Sequence, residues 1–209
     1  MEQSLNQRVK ELSSDERSVS ALSDEQLIAE FQNSNEAAFK ELVHRFKDPL
    51  TNYLFRFVGS WDDCNDLVQD TFVRVHRSRH SYKPIAKFST WIYTIATNLA
   101  KSHIRRKKVR IIFSIQGGEK GDDSRPYEIQ DERPDPEVLA DSSLKEERIQ
   151  EALNRLAAKY REVLVLREIQ ELSYEEIADI TGINIGTVKS RINRGRARLQ
   201  EMLRDLLET

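Results

Sequence analysis

Apolar residues recur at steps of three and four along most of the chain, the period of amphipathic helices. Leu27, Ile28, Phe31, Phe39, Leu42, Val43 and Phe46 set the pattern from Asp24 onward. Ser23 with Gln26 three residues later has capping-box spacing, so a helix should start there. Pro49 is expected near a helix start, because its ring removes a ladder donor. Tyr53, Leu54, Phe57 and Val58 continue the pattern, and Gly59-Ser60 breaks it. From Asp62 a further helix should carry Leu67, Val68, Phe72, Val73 and Val75. Tyr82 to Lys87, with Pro84 inside, reads as a loop. Ser89 then opens a long helix, through Trp91, to about Lys108. A helical pattern returns at Leu144 and runs, with interruptions, to Leu207. Residues 1–21 are polar with scattered apolar positions, the mark of a mobile tail or a weak helix.

Between Phe113 and Asp141 the pattern fails and the composition shifts. Three of the five prolines and three of the seven glycines fall here, with eight acids from Glu119 to Glu137. That is linker composition. The expected architecture is all-α. A tail (1–21) precedes two small helical domains (22–112 and 144–209), joined by a flexible acidic linker (113–143). A chain of 209 residues has room for both domains. The scarcity of Gly and Pro elsewhere argues against a turn-rich β sandwich or barrel. A single Cys excludes a disulfide framework and a Cys-based zinc site. The longest apolar runs, such as Val163 to Leu166, are too short to span a membrane. The N-terminus is polar and acidic, without a signal-peptide core. A soluble, cytoplasmic protein is expected.

The net charge of −2 hides a strong asymmetry. Residues 1–70 hold 14 acids against 7 bases, whereas residues 71–118 hold 11 bases and no acid. Residues 119–151 are acidic again, with 12 acids and 5 bases. Lys189, Arg191, Arg194, Arg196 and Arg198 then form a second basic cluster, with no acid from Ile180 to Gln200. Such blocks attract polyanions whatever the global charge. A solvated helix face is the plainer alternative for either cluster taken alone.

The second cluster lies within a helix-turn-helix pattern. Ser173 and Glu176 form a capping box that starts a short helix, with Ile177, Ala178 and Ile180 on its apolar face. Thr181-Gly182 should end it, because Gly tolerates the left-handed conformation. Asn184 can cap the next helix. Val188, Ile192, Leu199, Met202 and Leu206 are its candidate buried face, and Gly195 on that face would allow close packing. At 100° per residue, Ser190, Asn193 and Arg194 point outward, flanked by Lys189, Arg191, Arg196 and Arg198. Short polar, amide and Arg groups suit base edges in the major groove, and flanking cations suit phosphates. The helix N-terminus near Gly186-Thr187 also favours a phosphate. A helical hairpin with a basic outer face is the bland alternative.

The first basic block carries different chemistry. With Ile95 as reference, Trp91, Ile92, Ile95 and Leu99 form an apolar face. Thr94, Asn98, Lys101 and Arg105 form a polar stripe that leads into Arg106-Lys107-Lys108-Val109-Arg110. Tyr82, Phe88, Trp91 and Tyr93 interleave rings with these bases. Rings, amides and cations together suit unstacked, single-stranded DNA. Trp91 reads first as a core anchor whose ring can also meet a base. Just upstream, Asp66, Gln69 and Asp70 share one face of an acidic helix. No further oxygen ligand or Gly-bearing calcium loop lies nearby, so a solvated face or a contact for a basic partner is expected there, not a metal. His44, His76, His80 and His103 lack ligand spacing with Cys64. No nucleophile motif, phosphate-cradling loop or Rossmann fingerprint occurs. Neither an enzyme nor a cofactor is expected.

Three segments in order resemble a known family. Asp66-Leu67-Val68-Gln69-Asp70-Thr71-Phe72 resembles the conserved-region-two helix of bacterial RNA polymerase sigma factors of the extracytoplasmic-function group. Phe88 to Asn98, followed by Ile104-Arg105-Arg106, resembles that group's segment that opens and reads the −10 element. Leu172 to Ala178 and Gly186 to Arg191 resemble its region-four helix-turn-helix, which reads the −35 element. The likeness covers about residues 24–110 and 144–205. It implies that Asp66, Gln69 and Asp70 bind core RNA polymerase, on its clamp helices. It places Asn98 where a flipped −10 base is captured, with Trp91, Lys101, Ser102, Arg105 and Arg106 on the same DNA-facing segment. It gives the −35 element to Thr187, Lys189, Ser190, Arg191, Asn193 and Arg194. Promoter DNA and core polymerase are thus the implied partners, and an anti-sigma factor is a plausible inhibitor. The linker would thread toward the polymerase active site and RNA exit path. Asp70 stands where the family usually has Glu. The Tyr82–Lys87 loop is individual, and the N-terminal extension has no family role. Two alternatives stay open: a helix-turn-helix regulator that binds DNA alone, usually as a dimer, and a helical interaction protein with no salt-dependent DNA binding.

Overall fold

The computed structural model describes residues 19–116 and 136–204. Most of the N-terminal tail, the centre of the linker (117–135) and Leu206 lie outside the described residues. Among the described residues every regular element is helical. The N-terminal half contains α1 (Asp24–Gln32), α2 (Glu36–Val58), α3 (Trp61–Ser78) and α4 (Phe88–Gln116), with a 3-10 turn at Arg79–Ser81. The C-terminal half contains α5 (Pro136–Arg155), α6 (Ala158–Leu164), α7 (Tyr174–Thr181) and α8 (Ile185–Met202).

Local chemistry places most helix ends. Ser23 and Gln26 make the reciprocal capping box at α1, and Ser173 and Glu176 make it at α7. Asn184 Oδ1 accepts the Thr187 N–H at 2.7 Å and starts α8. Gly59 and Gly182 end α2 and α7 in the left-handed conformation, with φ of 78° and 70°. The start of α4 is capped from a distance: the Phe88 N–H donates to Glu25 Oε1 on α1 at 3.1 Å. This bond is the main reason the Glu25 carboxyl sits below its ordinary pKa. Val19 is already buried, and Arg45 donates to the Ser20 and Leu22 carbonyls. The last residues of the expected tail therefore pack on the first domain.

Pro49 does not start a helix; it lies inside the 23-residue α2. An interior proline costs about 3 kcal/mol or more. Phe46, Leu50, Tyr53 and Leu54 around it are all buried. Four such side chains contribute roughly 1.5–3 kcal/mol each, so burial outweighs the lost ladder bond. The long basic helix runs on to Gln116, beyond Lys108, and α5 begins at Pro136 rather than Leu144. Pro suits that first helical position because the missing N–H has no intrahelical partner there.

An aromatic core holds the first half. Phe31 stacks on Phe39 at 4.6 Å, and Phe88 meets Phe46 and Tyr82 edge-on. The buried Tyr53 and Thr97 hydroxyls lie 2.8 Å apart. In the second half α6 and α7 pack on α8. After α6 the chain makes a π turn over Val165–Ile169, where the Gln170 N–H reaches back five residues to the Val165 carbonyl. Glu171 then adopts a positive φ of 55°. The halves also pack on each other, α4 against α7 and α2 against α5 and the π turn.

Candidate nucleic-acid interface

On α8 the buried face is Val188, Ile192 and Gly195, with Leu199 and Met202 half-buried. Gly195 is required by close approach: a Cβ there would lie 2.7 Å from Leu164 Cδ1 on α6. Opposite this face Lys189, Ser190, Asn193 and Arg194 are exposed, as the wheel predicts. Thr187 is half-buried at the capped start of the helix, and Arg191 is half-buried on the flank that faces Glu162. The cations are held by neighbours from their own half. Arg196 pairs with Glu168 at 2.6 Å, Arg198 lies 4.7 Å from the Tyr160 ring centroid, and Lys189 lies 5.8 Å from that of Tyr174. The result is a cationic helix with amide and hydroxyl groups on its exposed face.

On α4 the wheel turns out differently. The buried face is Ile92, Tyr93, Ala96, Thr97 and Ala100, while Trp91, Ile95 and Leu99 are only half-buried. The small alanines allow close helix approach, and Tyr93 and Thr97 go inside because their hydroxyls find partners. Trp91 packs against Tyr82 and Phe88, with centroids 5.4 and 5.8 Å away, and keeps part of its surface open. Asn98, Ser102, Arg105 and Arg106 form an exposed strip. Thr94 is half-buried and donates to the Thr90 carbonyl at 2.7 Å. Lys101 is not free: its ammonium lies 2.7 Å from Glu162 Oε1 on α6. Lys107 is held at 2.9 Å by Asp63, which also meets His103 at 3.1 Å.

On α3, Asp66, Gln69 and Asp70 are exposed together, with no hydrogen-bond or ion-pair partner among the described residues. Val73, expected among the apolar positions of this helix, continues their face at 46% exposure. Its neighbours Leu67, Val68 and Val75 are buried. The sequence carried this signal, because Val73 stands seven residues after Asp66 and three after Asp70. Ile85, in the loop before α4, is 88% exposed. Among the described residues no group of three or more His, Cys, Asp or Glu is placed to hold a metal. Cys64 is buried and donates to the Thr51 carbonyl at 3.3 Å; burial pushes its thiol up to about 11. No helix among the described residues is long and apolar enough to cross a membrane.

Comparison with known proteins agrees with this layout. Residues 42–110 match Sigma-70 region 2, and residues 146–199 match Sigma-70 region 4. The chain is 35% identical over 179 residues to the ECF RNA polymerase sigma factor SigW of Bacillus subtilis, covering 86% of this chain and 96% of that protein. It is 31% identical to the ECF RNA polymerase sigma-E factor of Haemophilus influenzae, covering 89% of this chain and 98% of the other. Among solved structures it is similar to the sigma factor RpoE in complex with the anti-sigma factor NepR from Bartonella quintana. That match has a TM-score of 0.64 at 30% identity and covers 79% of this chain and 96% of that one. CnrH in complex with the cytosolic domain of CnrY gives a TM-score of 0.65 at 26% identity, over 87% of this chain and 97% of that one. With region 2 in its first half, region 4 in its second and near full-length relatives, the chain belongs to the sigma-70 family, within its extracytoplasmic-function group, whose members direct promoter-specific initiation of transcription.

Proposed function

We propose that this sigma factor divides its work among three faces. Asp66, Gln69 and Asp70, with Val73 beside them, dock on core RNA polymerase. Asn98, Ser102, Arg105 and Arg106, with Lys101 and the open part of Trp91, take the melted −10 strand. Lys189, Ser190, Asn193 and Arg194 read duplex −35 DNA, while Thr187 and Arg191 steady the phosphates. The domains are then 22–112 and 144–209 with their helices extended toward each other, since α4 runs on to Gln116 and α5 starts at Pro136. The observation that carries this reading is the α3 face, without a partner among the described residues and exposed one helix away from the strip on α4. Carboxylates beside an exposed apolar residue suit a protein surface better than a nucleic acid.

The chain itself performs no bond chemistry. It supplies binding energy: capturing an unstacked base must offset a cost of a few kcal/mol. Its working place is the cytoplasm, with polymerase and promoter. By likeness to the sigma factor RpoE, solved in complex with the anti-sigma factor NepR, an anti-sigma factor is a further partner. The test is complex formation with core polymerase on size exclusion, with Asp66→Lys as the variant. The wild type should co-elute and the variant should not. If the wild type elutes alone, the docking face is misassigned and a stand-alone DNA-binding regulator becomes the better account.

A further inference from the structure

Tyr160 belongs to α6, yet it lies against the cationic flank of α8. It is only 6% exposed. Gly195 lets it come so near: a Cβ at that position would already be 3.5 Å from Tyr160 Cβ. At 100° per residue, Arg198 stands about 60° round α8 from Gly195, and Arg194 about 100° round on the same side. A ring seated at Gly195 therefore comes up beside both guanidinium groups. The Arg198 guanidinium lies 4.7 Å from the Tyr160 ring centroid, and Arg194 donates to the Tyr160 hydroxyl. Lys159, next to Tyr160 on α6, places its ammonium 5.1 Å from the same centroid. Three cations thus gather around one phenol.

The ring and the hydroxyl do different things. The face of an aromatic ring is electron-rich and attracts cations, which offsets their mutual repulsion. A buried tyrosine hydroxyl needs a hydrogen-bond partner, and here it has Arg194. Arginine carries five N–H donors in a flat fork, and two of them suffice for the O6 and N7 edge of a guanine. A further donor remains for Tyr160, so the two contacts need not compete. A long arginine side chain loses rotamer freedom when a base fixes it. A hydroxyl that fixes the fork beforehand removes part of that cost and limits the directions in which the fork can read.

We propose that Tyr160 is a positioning residue for base readout: its hydroxyl aims Arg194 at one −35 base pair, while its ring holds Arg198 toward the adjoining phosphates. This rests on the reading of α8 as the −35 surface. Tyr160 need not touch DNA. Its hydroxyl acts through Arg194, so its effect is confined to the base pair that Arg194 reads. A ring that merely filled space between α6 and α8 would instead act on stability, and equally on every DNA sequence.

The full chain alone first selects its preferred −35 duplex from a randomised pool. Binding is then measured to each single-base-pair variant of that duplex. Arg194→Ala marks the base pair that Arg194 reads. Tyr160→Phe keeps the ring and every cation around it and removes one oxygen. It should reduce discrimination at the marked pair by roughly 3- to 10-fold, the worth of one hydrogen bond, and leave the other pairs unchanged. The slope of log affinity against log salt should hold, because no charge is lost. The urea midpoint should move little, because the packing stays. Adding Tyr160→Phe to Arg194→Ala should change nothing further, since the hydroxyl acts only through that side chain. A Tyr160→Phe panel that matches the wild type, a loss spread evenly over all pairs, or the same loss with and without Arg194 overturns the proposal. Failure of α8 as the reader looks different. No sequence is then selected, or Arg194→Ala itself leaves the panel flat, and the inference falls with the reading.

Discussion

The two basic helices, α4 and α8, handle their charges in opposite ways. On α8 each flanking cation rests on a residue of the same half: Arg196 on Glu168, Arg198 on Tyr160, Lys189 on Tyr174. Those contacts lie within one half and do not depend on where the other half sits. On α4 and the loop before it, Lys101 and Lys87 rest on the other half. Their availability depends on where that half is. On the proposed reading, the duplex-facing helix keeps its charges in place by itself, whereas the single-strand face depends on where the other half sits. That suits a protein whose melted substrate exists only after polymerase and duplex are already engaged.

The largest expected effect tests whether the halves are separable. Ile192, on the inner face of α8, is fully buried. Ile192→Ala should cost about 2–5 kcal/mol of stability, read as a lowered urea midpoint. Binding to a −35 duplex should fall with it, while binding to a −10 single strand should hold. A parallel loss of both would show that the two helices do not act as separate readers.

A smaller effect concerns readout. Arg194→Ala should relax discrimination at one −35 base pair by roughly 1–3 kcal/mol, measured across a panel of altered −35 elements. A uniform loss over the panel would make Arg194 a phosphate contact, and an unchanged panel would remove it from the interface.

The smallest effect is acid sensitivity at the seam. The Glu176 carboxyl is held below its ordinary pKa, first by the Lys87 hydrogen bond and then by the Ser173 N–H. Its contribution is present above the ordinary carboxylate range and is lost as pH falls through the lowered value. Burial pushes Glu162 the other way, more strongly than Lys101 and Arg191 pull it down. Its contribution is fullest below the ordinary range and fades as pH rises through the raised value. Melting temperature should therefore fall more gently on acidification in Glu176→Gln than in the wild type. Equal slopes would show that the Lys87 pair contributes nothing to the fold.

What could be read from the sequence was mostly local. Both capping boxes, the Gly182 turn and the Asn184 cap sit where residue chemistry puts them, because each acts within four residues. The outward face of α8 was equally legible, since charge and apolar period agree there. Three features were not legible, for different reasons. Pro49 stays inside α2 because burial on both sides of it outweighs a local rule. The buried face of α4 is centred near Ala96 rather than Ile95, because alanines, Tyr93 and Thr97 carry it and none marks an apolar stripe strongly. The Lys101–Glu162 pair joins residues far apart in the chain, and no spacing rule reaches that distance.

The π turn has a consequence in winding. It holds one residue more than an α-helical turn would, and Gln170 comes directly after it. Deleting a single codon there would let ordinary helix form in its place and rotate the following residue by roughly 100° about the axis. Gln170 would then swing away from Tyr93, whose hydroxyl donates to it, while α7 and α8 kept their own caps. One extra residue of backbone, inside the second half, thus sets the register at which α7 and α8 follow α6.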